Sequence, residues 1–197
     1  MGALILSQIR HESSTINFRL NLGLNMCKDY INKAIFIDRD WTINRDFWYV
    51  YKLEDLEILD WVKEGLKNLK SLWYKLILVT NQSWIWRWYF TQEDCDSFNT
   101  KLEKELWVQF DGIYVCPHKP EDGCECRKPK IENIRKAIND FKLDITKCYM
   151  IWDKESDIQM WKNAWCKTVW IKGSQYECKT ESDYSVSTIF EFSELIK

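Results

Sequence analysis

Ala34-Ile35-Phe36-Ile37-Asp38-Arg39-Asp40-Trp41-Thr42-Ile43-Asn44 runs four apolar residues straight into two carboxylates spaced one residue apart. A short unbroken apolar run bounded by polar residues is the pattern of a strand buried on both faces. Aspartates at its end read as turn formers, or as a carboxylate nucleophile (Asp38) beside an acid/base (Asp40). In the second reading a divalent cation suppresses their mutual repulsion. Neither carboxylate is expected to pair with a basic side chain.

Outward from this stretch, apolar β-branched runs predict further strands at 75–80, 112–116, 148–151 and 168–171. Helical patterns fall between them at 62–72, 92–106, 131–141 and 156–164. Thr91 is the expected N-cap of the second helix. Asp94 stands at the capping-box spacing, although Glu or Gln is preferred there. Alternation of this kind predicts a mostly parallel sheet with helices on both faces, and ligands bound beyond the carboxyl ends of the strands. The polar residues collect at those ends. Asp38 and Asp40 follow the first strand, Thr80 and Asn81 close the second, and Asp153 follows the fourth.

The length of 197 residues suits one domain, expected over 31–197, with residues 1–30 as a peripheral extension lacking periodicity. A net charge of −2 and no long basic run argue against a nucleic-acid groove. The apolar start is too short for a membrane span and lacks the basic region of a signal peptide. Eight cysteines in a βα pattern do not read as a small secreted disulfide scaffold. These points lead to the expectation of a cytoplasmic monomer with no membrane or nucleic-acid partner. Cys116-Pro-His118 and Cys124-Glu-Cys126 place three thiols and an imidazole within eleven residues, the ligand set of a closed structural Zn²⁺ site. Their spacing differs from the common finger patterns, so ligand count alone leaves coincidence open. Cys95, Cys148 and Cys166 read as small core residues.

The motifs, in order, are Asp38-Arg-Asp40-Trp-Thr-Ile-Asn44, Thr80-Asn-Gln-Ser83, Lys128 and Asp153-x-x-x-Asp157. The set resembles the haloacid dehalogenase superfamily of phosphohydrolases across roughly residues 34–171. A narrower likeness rests on Asp46-Phe-Trp-Tyr49, Arg87-Trp-Tyr-Phe90, Asp111–His118 and Cys124-Glu-Cys-Arg-Lys-Pro129. It is to the D-glycero-D-manno-heptose 1,7-bisphosphate phosphatases, a branch that includes histidinol phosphatases. The resemblance implies a three-layer α/β/α Rossmann-like fold with a minimal cap and a zinc-binding loop. It implies a sugar-phosphate substrate, a role in nucleotide-activated heptose synthesis for cell-surface polysaccharide, and an aspartyl-phosphate formed on Asp38. Asp40 would then act as acid and base, and Thr80 and Lys128 would hold the phosphoryl oxygens. Asn81, Gln82 and Ser83 would line the same site, and Asp46, Tyr49, Arg127 and Lys154 would contact the sugar phosphate. Mg²⁺ would take the Asp38 carboxylate, the Asp40 carbonyl and Asp153, with Asp157 orienting Lys128 or a bound water. Zn²⁺ would take Cys116, His118, Cys124 and Cys126. Histidinol-phosphate hydrolysis, or a catalytically impaired zinc-stapled domain, is the alternative.

Tryptophan is abundant and glycine scarce. The 12 Trp and 6 Gly together make 18, an ordinary glycine content for an α/β enzyme of this length. By the resemblance, glycine is the usual residue at 41, 48, 61, 73, 84, 86, 88, 107, 152, 161 and 165, all tryptophan here. Tryptophan has a Cβ that left-handed backbone disfavours and a ring that overfills a core. The indole at Trp152 is expected to crowd the cation or phosphate, and those of Trp84–Trp88 are not expected to escape to solvent. The expected outcome is a phosphatase architecture that is destabilised and poorly active.

Overall fold

The computed structural model describes residues 31–47, 50–154, 166–172 and 181–197. Its centre is a six-stranded parallel sheet: β1 (Ala34–Ile37), β2 (Lys75–Asn81), β3 (Gly112–Cys116), β4 (Tyr149–Trp152), β5 (Lys167–Ile171) and β6 (Tyr184–Val186). The order β3-β2-β1-β4-β5-β6 reverses direction between β1 and β4. Of these strands, β6 carries too few residues for its periodicity to be read. The described helices are α1 (Val62–Ser71), α2 (Gln92–Leu106), α3 (Glu132–Phe141) and α4 (Ile189–Leu195). The helix expected over 156–164, the extension over 1–30, Tyr49 and Asp157 lie outside the described residues.

Period-two alternation divides the strand side chains between two cores. Ile35, Ile37, Leu76, Leu78, Ile151 and Val169 face the layer formed by α1, α2 and α4. Ala34, Phe36, Ile77, Val79 and Met150 face α3. With both faces covered, the strands are apolar throughout, which is why they read as unbroken runs. Gly65 lets α1 lie against the start of α4. A Cβ there would stand 2.6 Å from the Phe190 nitrogen. Thr91 caps α2 as expected: its Oγ1 accepts from Asp94 N–H at 3.1 Å, and Asp94 Oδ2 accepts from Thr91 N–H at 2.8 Å.

Five tryptophans have left-handed backbone: Trp41, Trp61, Trp73, Trp88 and Trp107, with φ between 56° and 65°. Overpacking is not the difficulty at most of them. Trp61, Trp73, Trp88 and Trp107 are exposed, Trp88 by 94%. Contrary to expectation, the Trp84–Trp88 loop also turns outward, with Trp86 exposed as well. The Trp152 side chain is a core residue. Strand alternation turns it into the core on the α3 side, where it is fully buried with Phe36 and Met150. The left-handed positions cost roughly 1–2 kcal/mol each, together about 5–10 kcal/mol, against a typical total stability of ~5–15 kcal/mol.

Candidate active site and metal centre

Asp38 is the first residue beyond β1, and its N–H donates to Ile151 O of β4 at 3.1 Å. It therefore stands at the reversal of strand order, where parallel sheets open a crevice. The Lys128 ammonium lies 2.6 Å from Asp38 Oδ2, and both side chains are nearly buried. A sequence-remote loop is thus brought against the nucleophile candidate. Asn81 holds that loop by its main chain: its Oδ1 accepts from Lys128 N–H at 3.1 Å and its Nδ2 donates to Lys128 O at 3.2 Å. Asn81 positions Lys128.

The expectation that neither aspartate meets a basic partner is wrong for both: Lys128 pairs with Asp38 and Arg39 with Asp40. Arg39 Nε donates to Asp40 Oδ1 at 2.8 Å and Nη2 to Oδ2 at 3.3 Å. Asn44 Nδ2 adds a bond to Oδ1 at 3.4 Å. Gln82 Nε2 bridges Asp40 Oδ2 (2.8 Å) and Thr80 Oγ1 (2.9 Å), tying the ends of β1 and β2 together. Burial pushes the Asp40 carboxyl up, but the Arg39 charge and these hydrogen bonds outweigh it and hold the group below its ordinary value. Asp40 is therefore a carboxylate in this arrangement.

Nothing in the sequence around Arg39 marks it for a role. It is buried because α2 packs over it: its guanidinium lies 4.7 Å from the Phe98 ring centre and Nη1 donates to Asn99 Oδ1 at 3.5 Å. Nη2 also donates to Val50 O at 3.2 Å. An arginine between two aspartates looks solvated in one dimension; only the helix above it removes the water.

Asp153 follows β4 and is wholly buried. Burial first, then the neighbouring Asp38 charge, pushes its carboxyl up to about 7, against the pull of Lys154 and Lys128. A buried carboxyl beside a second carboxylate is a place where a divalent cation would offset the charge repulsion. Among the outer residues, Asp46 Oδ1 accepts from Val50 N–H at 2.8 Å and fixes its own loop. Ser83 and Lys154 are half-buried. Arg127 Nη1 donates to His118 O at 3.0 Å, so it is anchored to the cysteine loop.

That loop gathers the four expected ligands. Their candidate donor atoms all lie within 4.8 Å of one another. Cys116 Sγ is 3.8 Å from His118 Nδ1 and 3.7 Å from Cys124 Sγ; Cys126 Sγ is 3.3 Å from His118 Nδ1, 3.4 Å from Cys116 and 3.6 Å from Cys124. Sulfurs so spaced are not disulfide-bonded. A tetrahedron with Zn–S near 2.3 Å and Zn–N near 2.0–2.1 Å has edges of about 3.5–3.8 Å, close to these separations. Burial, with the hydrogen bonds shared with Cys126 and Cys124, pushes the Cys116 thiol up to about 12 against a backbone hydrogen bond at His118. A soft cation would exchange those protons for bonds. Asn133, in the first turn of α3, donates to Cys126 O at 3.1 Å and steadies the loop; no motif in the sequence marks it.

No family model matches the chain. A D-glycero-beta-D-manno-heptose-1,7-bisphosphate 7-phosphatase from Helicobacter pylori is 46% identical over 137 residues, covering 68% of this chain and 79% of the relative. One of the same name from Pasteurella multocida is 37% identical over 183 residues, covering 85% of this chain and 98% of the relative. Among solved structures, D,D-heptose 1,7-bisphosphate phosphatase from B. bronchiseptica, complexed with magnesium and phosphate, matches with a TM-score of 0.76 at 23% identity. That match covers 84% of this chain and 98% of the other.

Proposed function

The chain belongs to the D-glycero-β-D-manno-heptose-1,7-bisphosphate 7-phosphatase family, and we propose that it removes the C7 phosphate of this sugar bisphosphate in the cytoplasm as a monomer. The observation that carries the reading is the seating of Lys128 2.6 Å from Asp38, with Thr80 tied through Gln82 to Asp40 in the same crevice.

An Asp38 carboxylate oxygen attacks phosphorus in line with the departing C7 oxygen. The P–O bond to the sugar breaks, and Asp40, protonated for this step, gives its proton to the alkoxide. The resulting aspartyl-phosphate is cleaved by a water that loses a proton to Asp40, releasing phosphate and restoring Asp38. In the resting site Arg39, Asn44 and Gln82 stabilise the carboxylate of Asp40, the form needed for this second half. Incoming phosphate charge opposes that stabilisation and favours the acid form needed first. Lys128 exchanges its contact with Asp38 for the phosphoryl oxygens, and the Thr80 hydroxyl donates to another. Asp46, Tyr49, Asn81, Ser83, Arg127 and Lys154 contact or frame the sugar phosphate.

Mg²⁺ suits the acidic side of this site, since the Asp38 and Asp153 carboxylates and the Asp40 carbonyl are hard oxygen donors. When bound it would neutralise charge on the transferring group. Zn²⁺ suits Cys116, His118, Cys124 and Cys126, whose separations fit its tetrahedron; its work there is structural.

Phosphate release with heptose 1,7-bisphosphate and with histidinol phosphate tests the proposal. Mg²⁺-dependent turnover is expected, with kcat/KM higher for the heptose and activity falling to background in Asp38→Asn. Preference for histidinol phosphate would move the chain to the sister activity. A folded, zinc-loaded chain inert on both substrates and on an aryl phosphate would make it a binding module.

A further inference from the structure

We infer that the protein made in its own cell carries glycine at positions 41, 61, 73, 88 and 107, because the gene's codon there is UGA. That codon is read as tryptophan in one genetic code and as glycine in another.

The geometry selects these positions without reference to any relative. Three of the five close a turn or helix in the same way. After α1, Trp73 N–H donates to Lys70 O at 2.9 Å and Tyr74 N–H to Leu69 O at 3.2 Å. After α2, Trp107 N–H donates to Lys104 O at 3.2 Å and Val108 N–H to Glu103 O at 3.3 Å. In the loop beyond β2, Trp88 N–H donates to Ile85 O at 3.1 Å and Tyr89 N–H to Trp84 O at 3.2 Å. This is the Schellman pair of bonds, whose middle residue must be left-handed and is ordinarily glycine. Trp41 bends the chain directly after Asp40, its N–H donating to Asn44 O at 2.7 Å, and Trp61 opens α1; both are left-handed.

A shared function for the indoles is contradicted by their placement. Trp73 and Trp107 precede β2 and β3, at the amino end of the sheet. Trp41 and Trp88 follow β1 and β2, at the carboxyl end. A ligand platform would cluster them. Stability does not call for the rings either, since four of the five are exposed. What the five share is backbone of the kind only glycine adopts at no cost. Lys142, left-handed after α3, is the one other non-glycine residue in this state among those described. Trp170, by contrast, is extended in β5, packs in the core and makes no demand for glycine. A codon with two meanings accounts for both the excess of tryptophan and the deficit of glycine, because each misreading adds one and removes one.

The test reads the five codons in the gene and sequences peptides by mass spectrometry from the protein purified from its source cells. UGA codons and glycine-containing peptides are expected. UGG codons, or tryptophan in those peptides, would overturn the inference. Independently, the chain as written and a version with Trp41→Gly, Trp61→Gly, Trp73→Gly, Trp88→Gly and Trp107→Gly are melted side by side. The glycine version is expected to gain roughly 10–40 °C in Tm, and a tryptophan version that fails to fold while the glycine version folds supports the same conclusion. Equal melting, or a less stable glycine version, refutes the structural argument.

Discussion

Arg39 holds Asp40 by two of its nitrogens while two further donors go to Val50 and Asn99. Lysine has the charge but not the fork. Arg39→Lys should therefore leave Asp40 ionised but misaligned, with kcat falling roughly 10–100-fold and Tm by a few degrees. Unchanged kcat beside a lower Tm would reduce Arg39 to a packing residue. Asp111 belongs to stability, although it lies in a stretch whose resemblance is to an enzyme family. Its Oδ2 accepts from Lys70 Nζ at 2.6 Å and Leu76 N–H at 2.9 Å, and Lys75 Nζ lies 3.3 Å from Oδ1. Burial raises the carboxyl, but these partners more than offset it and hold it below its ordinary value. A depressed acid contributes stability above its unfolded pKa and loses it as pH falls through the folded one. Asp111→Asn should thus lower Tm at pH 7 with activity retained, and the difference should close below about pH 4; a gap constant with pH would show that the charge is irrelevant. Asp38, Asp40, Thr80 and Asp153 were legible as residues because each sits at a strand end. Arg39, Asn44 and Asn133 were not, because their value lies in partners supplied by other elements.

At the scale of elements, α2 begins and ends where its pattern predicted, since Thr91 and Asp94 complete a reciprocal cap at one end and left-handed Trp107 closes the other. Thr91→Ala should cost about 1 kcal/mol, read as a fall in Tm of roughly 2–4 °C with kcat unchanged. β6 and α4 escaped notice because three and seven residues carry too little periodicity to register. The cysteine loop is the element to which the proposed zinc matters most. It is poor in apolar residues and carries Arg127 and Lys128 directly after its last ligand. If the four-ligand cluster holds zinc as proposed, stripping the metal should lower Tm and raise KM, because Arg127 and Lys128 follow directly on the ligand Cys126. A verified zinc-free sample with unchanged melting and kinetics would refute the structural role of the metal.

Across the whole molecule, the sheet, the helices over it and the crevice at the β1–β4 reversal form one packed unit in which layer spacing is set by small residues. Gly65→Ala would drive a methyl group against the α4 backbone, and a loss of ~1–3 kcal/mol is expected from such overpacking. A thermal melt that is unmoved would mean that α4 yields freely. The strain at five left-handed tryptophans acts at this scale too, since its sum approaches the whole stability of an ordinary domain. The sequence by itself determined the layered fold, the strand-end carboxylates and the four-ligand loop, because periodicity and local spacing are properties of consecutive residues. Tertiary structure alone decided that Lys128 meets Asp38, that Arg39 holds Asp40, that Trp152 packs in the core, and which tryptophans bear left-handed backbone. Those outcomes depend on the pairing of distant strands and on which face a helix covers, and neither is written in any single stretch of chain.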